Sequence, residues 1–280
     1  MAMIAALLLP AGMARAAAPQ IGDTYEITLI RESAQQGSHG STGSSYDKDT
    51  MVERVIGLRA DGLELEYDFL KAATTQERAA VWQLPVRVFK PLAGPAQLLN
   101  GPELEVRAEA WLKAAHWTRT VCGHWIFTWN AFRIDCDPQS AIPLIAPFDL
   151  RPGDLRDGAP YQEIGALGSG TLSRKDAGAD GAIYSVELPV DPEAVRRARA
   201  DSDVVVGEIM RKPLTLDAAI SARARETVTG TIAITFETDP AGAVRRRTKV
   251  TKLEIKTPDG GSETQTVTET LDRRLISGRE

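Results

Sequence analysis

The sequence predicts a mainly β protein of the α+β class. Its long antiparallel strands form curved sheets with one helix in each half, half-barrel-like in outline. Three observations carry this. Thr227 to Leu275 alternates apolar and polar residues in three long runs, broken by Asp239-Pro240-Ala241-Gly242 and Pro258-Asp259-Gly260-Gly261. That is the pattern of an antiparallel meander with one face on a core. Asp61-Gly62 separates two further alternating runs, a hairpin signal. Only Asn100-Gly101-Pro102-Glu103 and Asp191-Pro192-Glu193 read as helix starts, with a polar cap and Pro in the first turn.

Composition permits a large core. The chain has 280 residues, 43% hydrophobic and 25% charged, which suits one large folded domain or two modest ones. A net charge of −5 gives the whole chain no attraction to nucleic acid. Two cysteines exclude a disulfide-dense scaffold and a four-thiolate zinc site.

The elements follow in order. Met3 to Leu9 is a short apolar run, and Ala14-Arg15-Ala16 fits a small-x-small cleavage site. Residues 1–16 therefore read as a secretory signal peptide, and the chain as periplasmic or secreted. The run is too short to cross a bilayer, so no transmembrane segment is expected in the mature chain. Residues 17–150 form a β-rich N-terminal subdomain, and residues 151–280 a second one ending in the meander. In the first, Asp23 to Arg31 is a strand and Gln35 to Ser45 a flexible Gly/Ser loop. Met51 to Leu58 and Leu63 to Phe69 pair across Asp61-Gly62. Ala80 to Phe89 reads as a strand at an edge or bulge because of Pro85.

Leu104, Ala108, Trp111, Leu112 and Ala115 recur at helical spacing, which predicts a helix over 102–116. Thr118 to Thr128 and Ala131 to Asp137 then form a hairpin. Cys122 and Cys136 lie equally spaced about Trp129, so the hairpin would set them opposite each other as a disulfide. Residues 138–165 connect the halves and pack on the first. In the second half, Thr171 to Ser173 and Ile183 to Leu188 are short strands. A helix runs from Pro192 to about Ala200, and Val204 to Met210 is a strand. In the meander, the apolar phase shifts near Val250, which predicts a bulge there.

The densest chemical feature is aromatic. Trp111, Trp117, Trp125, Phe127 and Trp129 crowd one stretch, and the last three share a strand face. They form either an aromatic core around the disulfide or the lining of a pocket for an apolar ligand. His116, His124, Asp135 and Asp137 flank them. Two imidazoles and a carboxylate are a zinc donor set, but no HExxH-type spacing joins them, and no metal site or cofactor is expected. No G-x-S-x-G, P-loop or G-x-G-x-x-G occurs. Two basic groups remain, Arg196, Arg197 and Arg199 on the second helix and Arg245, Arg246, Arg247, Lys249 and Lys252 on the meander. They suit anionic head groups or the protection of sheet edges.

The pattern of exported, long antiparallel strands with few helices resembles the periplasmic half-barrel lipid carriers, such as the lipoprotein carriers of Gram-negative bacteria. The resemblance is one of architecture, and no motif residue carries over. It implies an exported, non-enzymatic envelope protein that binds an apolar ligand, either a lipid or a lipid-modified protein, or a partner chain. Two other classes fit the same residues. One is a hydrolase of an envelope ester or polymer built on His116 and His124. The other is an assembly protein that pairs through its sheet edges.

Overall fold

The computed structural model describes residues 19–127, 131–151, 154–176 and 181–277. The segment read as a signal peptide and Trp129 lie outside them. Among the described residues the architecture is a large antiparallel sheet of ten strands, not closed into a barrel, with two separate two-stranded hairpins and with helices on the face that carries the core.

In chain order the first elements are β1 (Thr24–Gly37), β2 (Thr42–Arg59), β3 (Gly62–Asp68), α1 (Thr75–Ala80), β4 (Val86–Pro91), β5 (Gln97–Leu98) and α2 (Gly101–Ala114). Next come β6 (Trp125–Phe127), β7 (Ala131–Arg133), α3 (Ala141–Ile145), β8 (Pro160–Gln162), β9 (Ser169–Thr171), β10 (Ser173–Asp176) and β11 (Ala182–Pro189). Last are α4 (Pro192–Ile209), α5 (Leu216–Arg223), β12 (Thr227–Thr238), β13 (Val244–Lys256) and β14 (Ser262–Ser277). The sheet order is β10-β11-β12-β13-β14-β1-β2-β3-β4-β5, so the last strand pairs with the first near the centre. Both outer strands are short, and β10 is Ser-Arg-Lys-Asp, whose charges discourage edge pairing.

Side chains alternate between faces along each strand. One face carries Ile27 and Leu29 of β1, Met51 and Val55 of β2, Leu65 and Tyr67 of β3, and Val86 and Val88 of β4. These pack with Leu104 and Ala108 of α2 and with Ala141, Ile145, Phe148 and Leu150 of the connecting segment. Farther along the same face, Tyr184, Val186 and Leu188 of β11 and Ile232, Ile234 and Phe236 of β12 form a second cluster. The opposite face is rich in threonine: Thr28, Thr50, Thr231, Thr235, Thr248, Thr266, Thr268 and Thr270 all project there. Thr28 and Thr50 face each other directly, with hydroxyls 3.4 Å apart.

A buried ion cluster fixes the connecting segment to the sheet. Glu53 of β2 is 1% exposed. Its carboxylate accepts from Arg151 through both guanidinium ends, from Arg273 of β14 at 2.8 Å and from the Tyr67 hydroxyl at 2.8 Å. The Arg273 guanidinium also lies over the Tyr25 ring at 3.4 Å from its centre. Lys90 pairs with Asp149 beside them. These bonds dock the segment that includes Pro143, Ala146 and Pro147 against β1 and β14.

The structure corrects several expectations. Ala80 to Phe89 is not one strand. A capping box between Thr74 and Glu77 starts α1, and the strand begins only at Val86, after Pro85. Val204 to Met210 is not a strand but the last turns of α4. Asp191 caps that helix, and it runs on to Ile209. Arg223 of α5 pairs with Asp203 of that helix, just before its valine run. Gln35 to Ser45 is mostly strand, since β1 and β2 continue outward to a tight turn at 38–41. The bulge predicted near Val250 lies instead at the Glu237/Thr238 step, opposite Val244 and Arg246. The 118–137 hairpin shrinks to three residues a side, preceded by a 3-10 turn at Arg119–Val121. Asn100 does precede α2, but its side chain does not cap that helix.

Candidate functional site

The disulfide is present: Cys122 and Cys136 are bonded, with Cα atoms 5.7 Å apart. Around it the aromatic residues form a small core. Trp111 and Trp117 meet edge to face at 5.5 Å between ring centres. Both are half-buried and pack with Leu112, Ile134, Cys136, Val121 and Ile126. Trp125 is half-buried on β6, and its backbone N–H donates to Glu208 of α4 at 3.3 Å. Phe127 ends β6, its side chain outside the described set, as is Trp129. The cleft described below is lined by none of these residues.

The His and Asp residues do not form one centre. His116 is exposed in the turn after α2, and His124 is exposed with Nδ1 3.8 Å from Glu208. Asp137 caps the next 3-10 turn through Gln139, while the Asp135 carbonyl accepts from Trp82 Nε1. Among the described residues, no group of three His, Cys, Asp or Glu side chains is placed to hold a metal ion.

The covered face of the sheet holds a cleft between the two hydrophobic clusters, of about 370 Å³. This is within the range of small-molecule sites. Register explains its floor. Leu29 of β1, Leu271 of β14 and Arg247 of β13 lie directly opposite one another in one row. Arg31, Glu269 and Lys249 form the next row on the same face. Asp49 and Asp47 continue these rows on β2 as exposed residues. One wall is Pro143, Ala146 and Pro147, all exposed, and the other is Glu163 and Ile164, just beyond β8. Ile164 is 91% exposed.

Glu163 turns inward instead. Its side chain is 9% exposed, and its carboxylate accepts from Tyr161 at 2.6 Å, Arg247 at 2.7 Å and Lys249 at 3.0 Å. Burial alone would raise the Glu163 carboxyl, but Tyr161, Arg247 and Lys249 outweigh it and hold the carboxyl below its ordinary range. Arg31 pairs with Glu269 at 3.0 Å, and Lys249 approaches Glu269 at 3.9 Å. The buried Arg247 Nε has no acceptor.

Sequence reasoning named Arg247 and Lys249 only as part of a basic group and did not name Arg31, Glu163 or Glu269 as site residues. Arg247 and Lys249 share the inward phase of β13 with Thr251, Leu253 and Ile255, the side opposite to the one that a phase shift near Val250 would give them.

No family model matches the chain, and no curated protein matches it. A conserved protein of unknown function with a hot dog fold from Alicyclobacillus acidocaldarius aligns over 94% of this chain and 83% of that one. The identity is 9% and the TM-score 0.12, a similarity that carries no argument.

Proposed function

We propose that this is an exported, non-enzymatic cell-envelope protein that binds an apolar ligand, a lipid or the acyl chain of a lipid-modified protein, on the covered face of its sheet. One observation carries the reading: the cleft between the two hydrophobic clusters, floored by Leu29 and Leu271 and walled by Pro143, Pro147 and Ile164. Ile164, 91% exposed, adds apolar surface at the mouth of this cleft. The Cys122–Cys136 bond supports an oxidising compartment, as export requires. No helix among the described residues is long and apolar enough to cross a membrane.

The test is native mass spectrometry of protein purified from its own envelope under non-denaturing conditions, with lipid extraction of the same sample. A co-purifying acyl species, lost from an Ile164→Asp variant, is the expected result. A ligand-free chain that also fails to take up dodecanol or dodecanoate overturns the reading.

A further inference from the structure

Glu163 and Ile164 together have the chemistry of a ligand. A carboxylate reaches inward to two cations and a hydroxyl, and beside it a branched apolar side chain lies at the cleft mouth. The carboxylate comes from a loop outside the ten-stranded sheet, whereas Arg247 and Lys249 belong to β13 within it. Those two cations occupy the inward face of a central strand, where an apolar residue would pack at less desolvation cost. Arg247 keeps one buried donor, Nε, that Glu163 leaves without an acceptor. Three cations, Arg31, Arg247 and Lys249, share the cleft with two carboxylates, Glu163 and Glu269. With Asp47 and Asp49 continuing the same rows on β2, the cleft is suited to the exchange of one carboxylate for another rather than to an added charge.

We infer that the ligand of this cleft is an amphiphile with a carboxylate head group, which binds Arg247 and Lys249 in the place that the Glu163 side chain now holds. The inference rests on the proposed function and adds to it the head-group class and the residues that receive it. Glu163 is then a built-in competitor. Its Tyr161, Arg247 and Lys249 contacts must open before the head group enters, and the ligand's chain follows the Leu29–Leu271 floor towards Pro143 and Pro147.

Isothermal titration with dodecanoate, and separately with dodecanol and dodecyltrimethylammonium, tests this on the full mature chain. Glu163→Gln removes the competing charge and keeps a side chain of the same shape. We expect it to bind dodecanoate at least tenfold more tightly than wild type, with dodecanol changed less than threefold. Adding Arg247→Gln and Lys249→Gln in that background should abolish the gain for dodecanoate and leave dodecanol unaffected. Melting curves of each variant report whether it is folded. If the folded Glu163→Gln chain binds dodecanol but shows no gain for dodecanoate, the inference falls and the apolar-ligand reading stands. If neither wild type nor Glu163→Gln takes up any of the three amphiphiles, both fall. A stronger response to the ammonium amphiphile than to dodecanoate also overturns the inference.

Discussion

Arg151 and Glu53, 98 residues apart in the chain, meet through paired guanidinium–carboxylate hydrogen bonds beneath the helices. The pair brings the connecting segment onto the sheet, and so sets one wall of the cleft. A buried carboxylate with two arginines is strongly asymmetric in its energetics: removing one partner strands the others. Glu53→Ala should therefore cost about 3–5 kcal/mol, measured by guanidinium chloride unfolding. A cycle with Arg151→Ala should show the two substitutions to be far from additive.

The same carboxylate makes stability depend on acid. Burial alone would raise the Glu53 carboxyl, but Arg151 and Arg273 outweigh it and hold it down to about 2, from an ordinary 4.5. A depressed folded-state value means that the ionised form stabilises the fold above pH 4.5, and that this contribution fades as pH falls towards 2. Its full size is about 3 kcal/mol, from about 1.4 kcal/mol per unit. The stability difference between wild type and Glu53→Gln, followed by chemical denaturation, should shrink across that interval. A difference that stays constant down to pH 2 contradicts this account of the cluster.

The disulfide closes a loop with a sequence separation of 14, worth about 3 kcal/mol in the chain-entropy view. Replacing Cys122 and Cys136 together by Ser should lower the melting temperature by several degrees. Dodecanol binding should not change, because the bond lies outside the cleft. Thiol titration of denatured, unreduced protein should find no free thiol.

Gly62, in the β2–β3 hairpin, faces the backbone of β4. A Cβ there would lie 2.3 Å from the Lys90 carbonyl oxygen and 2.8 Å from the Pro91 Cα. Neither can yield without moving the strand. Gly62→Ala should cost about 1–3 kcal/mol, the range for overpacking, while the same change at Gly43, where nothing lies within 4 Å, should cost far less. Thermal unfolding of the two variants gives the comparison.

Asn100 is 4% exposed, and its side chain bridges β4 and α2. Its Oδ1 accepts from the Arg87 N–H at 2.9 Å, and its Nδ2 donates to Pro85 O and Glu103, each at 3.3 Å. Asn100→Leu should cost about 1–3 kcal/mol through unsatisfied buried groups, although an ordinary helix cap is not lost. Urea unfolding measures it.

The parts of the fold that were legible in the sequence are those set by neighbours in sequence. The β12–β14 meander follows from alternation and two Gly-containing turns, and Asp61-Gly62 places the β2–β3 hairpin. The 102–116 helix reading matches α2 because Leu104, Ala108 and Leu112 recur on one face. Where local preference misled, another local signal outweighed it. The valines at 204–206 favour strand by shape, yet they continue a helix already started at Asp191-Pro192. The Thr74–Glu77 capping box that starts α1 is a local signal too, and the reading of Ala80 to Phe89 as a strand passed over it. The cleft was not readable at all. Glu163 reaches Arg247 and Lys249 across more than eighty residues, and Glu53 reaches Arg273 across 220. Nothing in a sequence window couples such positions, and the apolar phase of Val244 and Val250 put Arg247 and Lys249 on the outward side.

The pairing of β1 with β14 has a consequence for the order of events during synthesis. Thr24 lies beside Ser277 and Gln35 beside Gln265, so β1 gains its neighbour on one side only after more than two hundred further residues have been made. Until then, that flank of β1 is an unpaired edge, and the cleft floor lacks Leu271 and Glu269. Contacts of such sequence separation slow folding and lengthen the exposure of sticky intermediates. The row of Leu29, Leu271 and Arg247, and with it the cleft floor, therefore exists only once β14 has docked between β1 and β13.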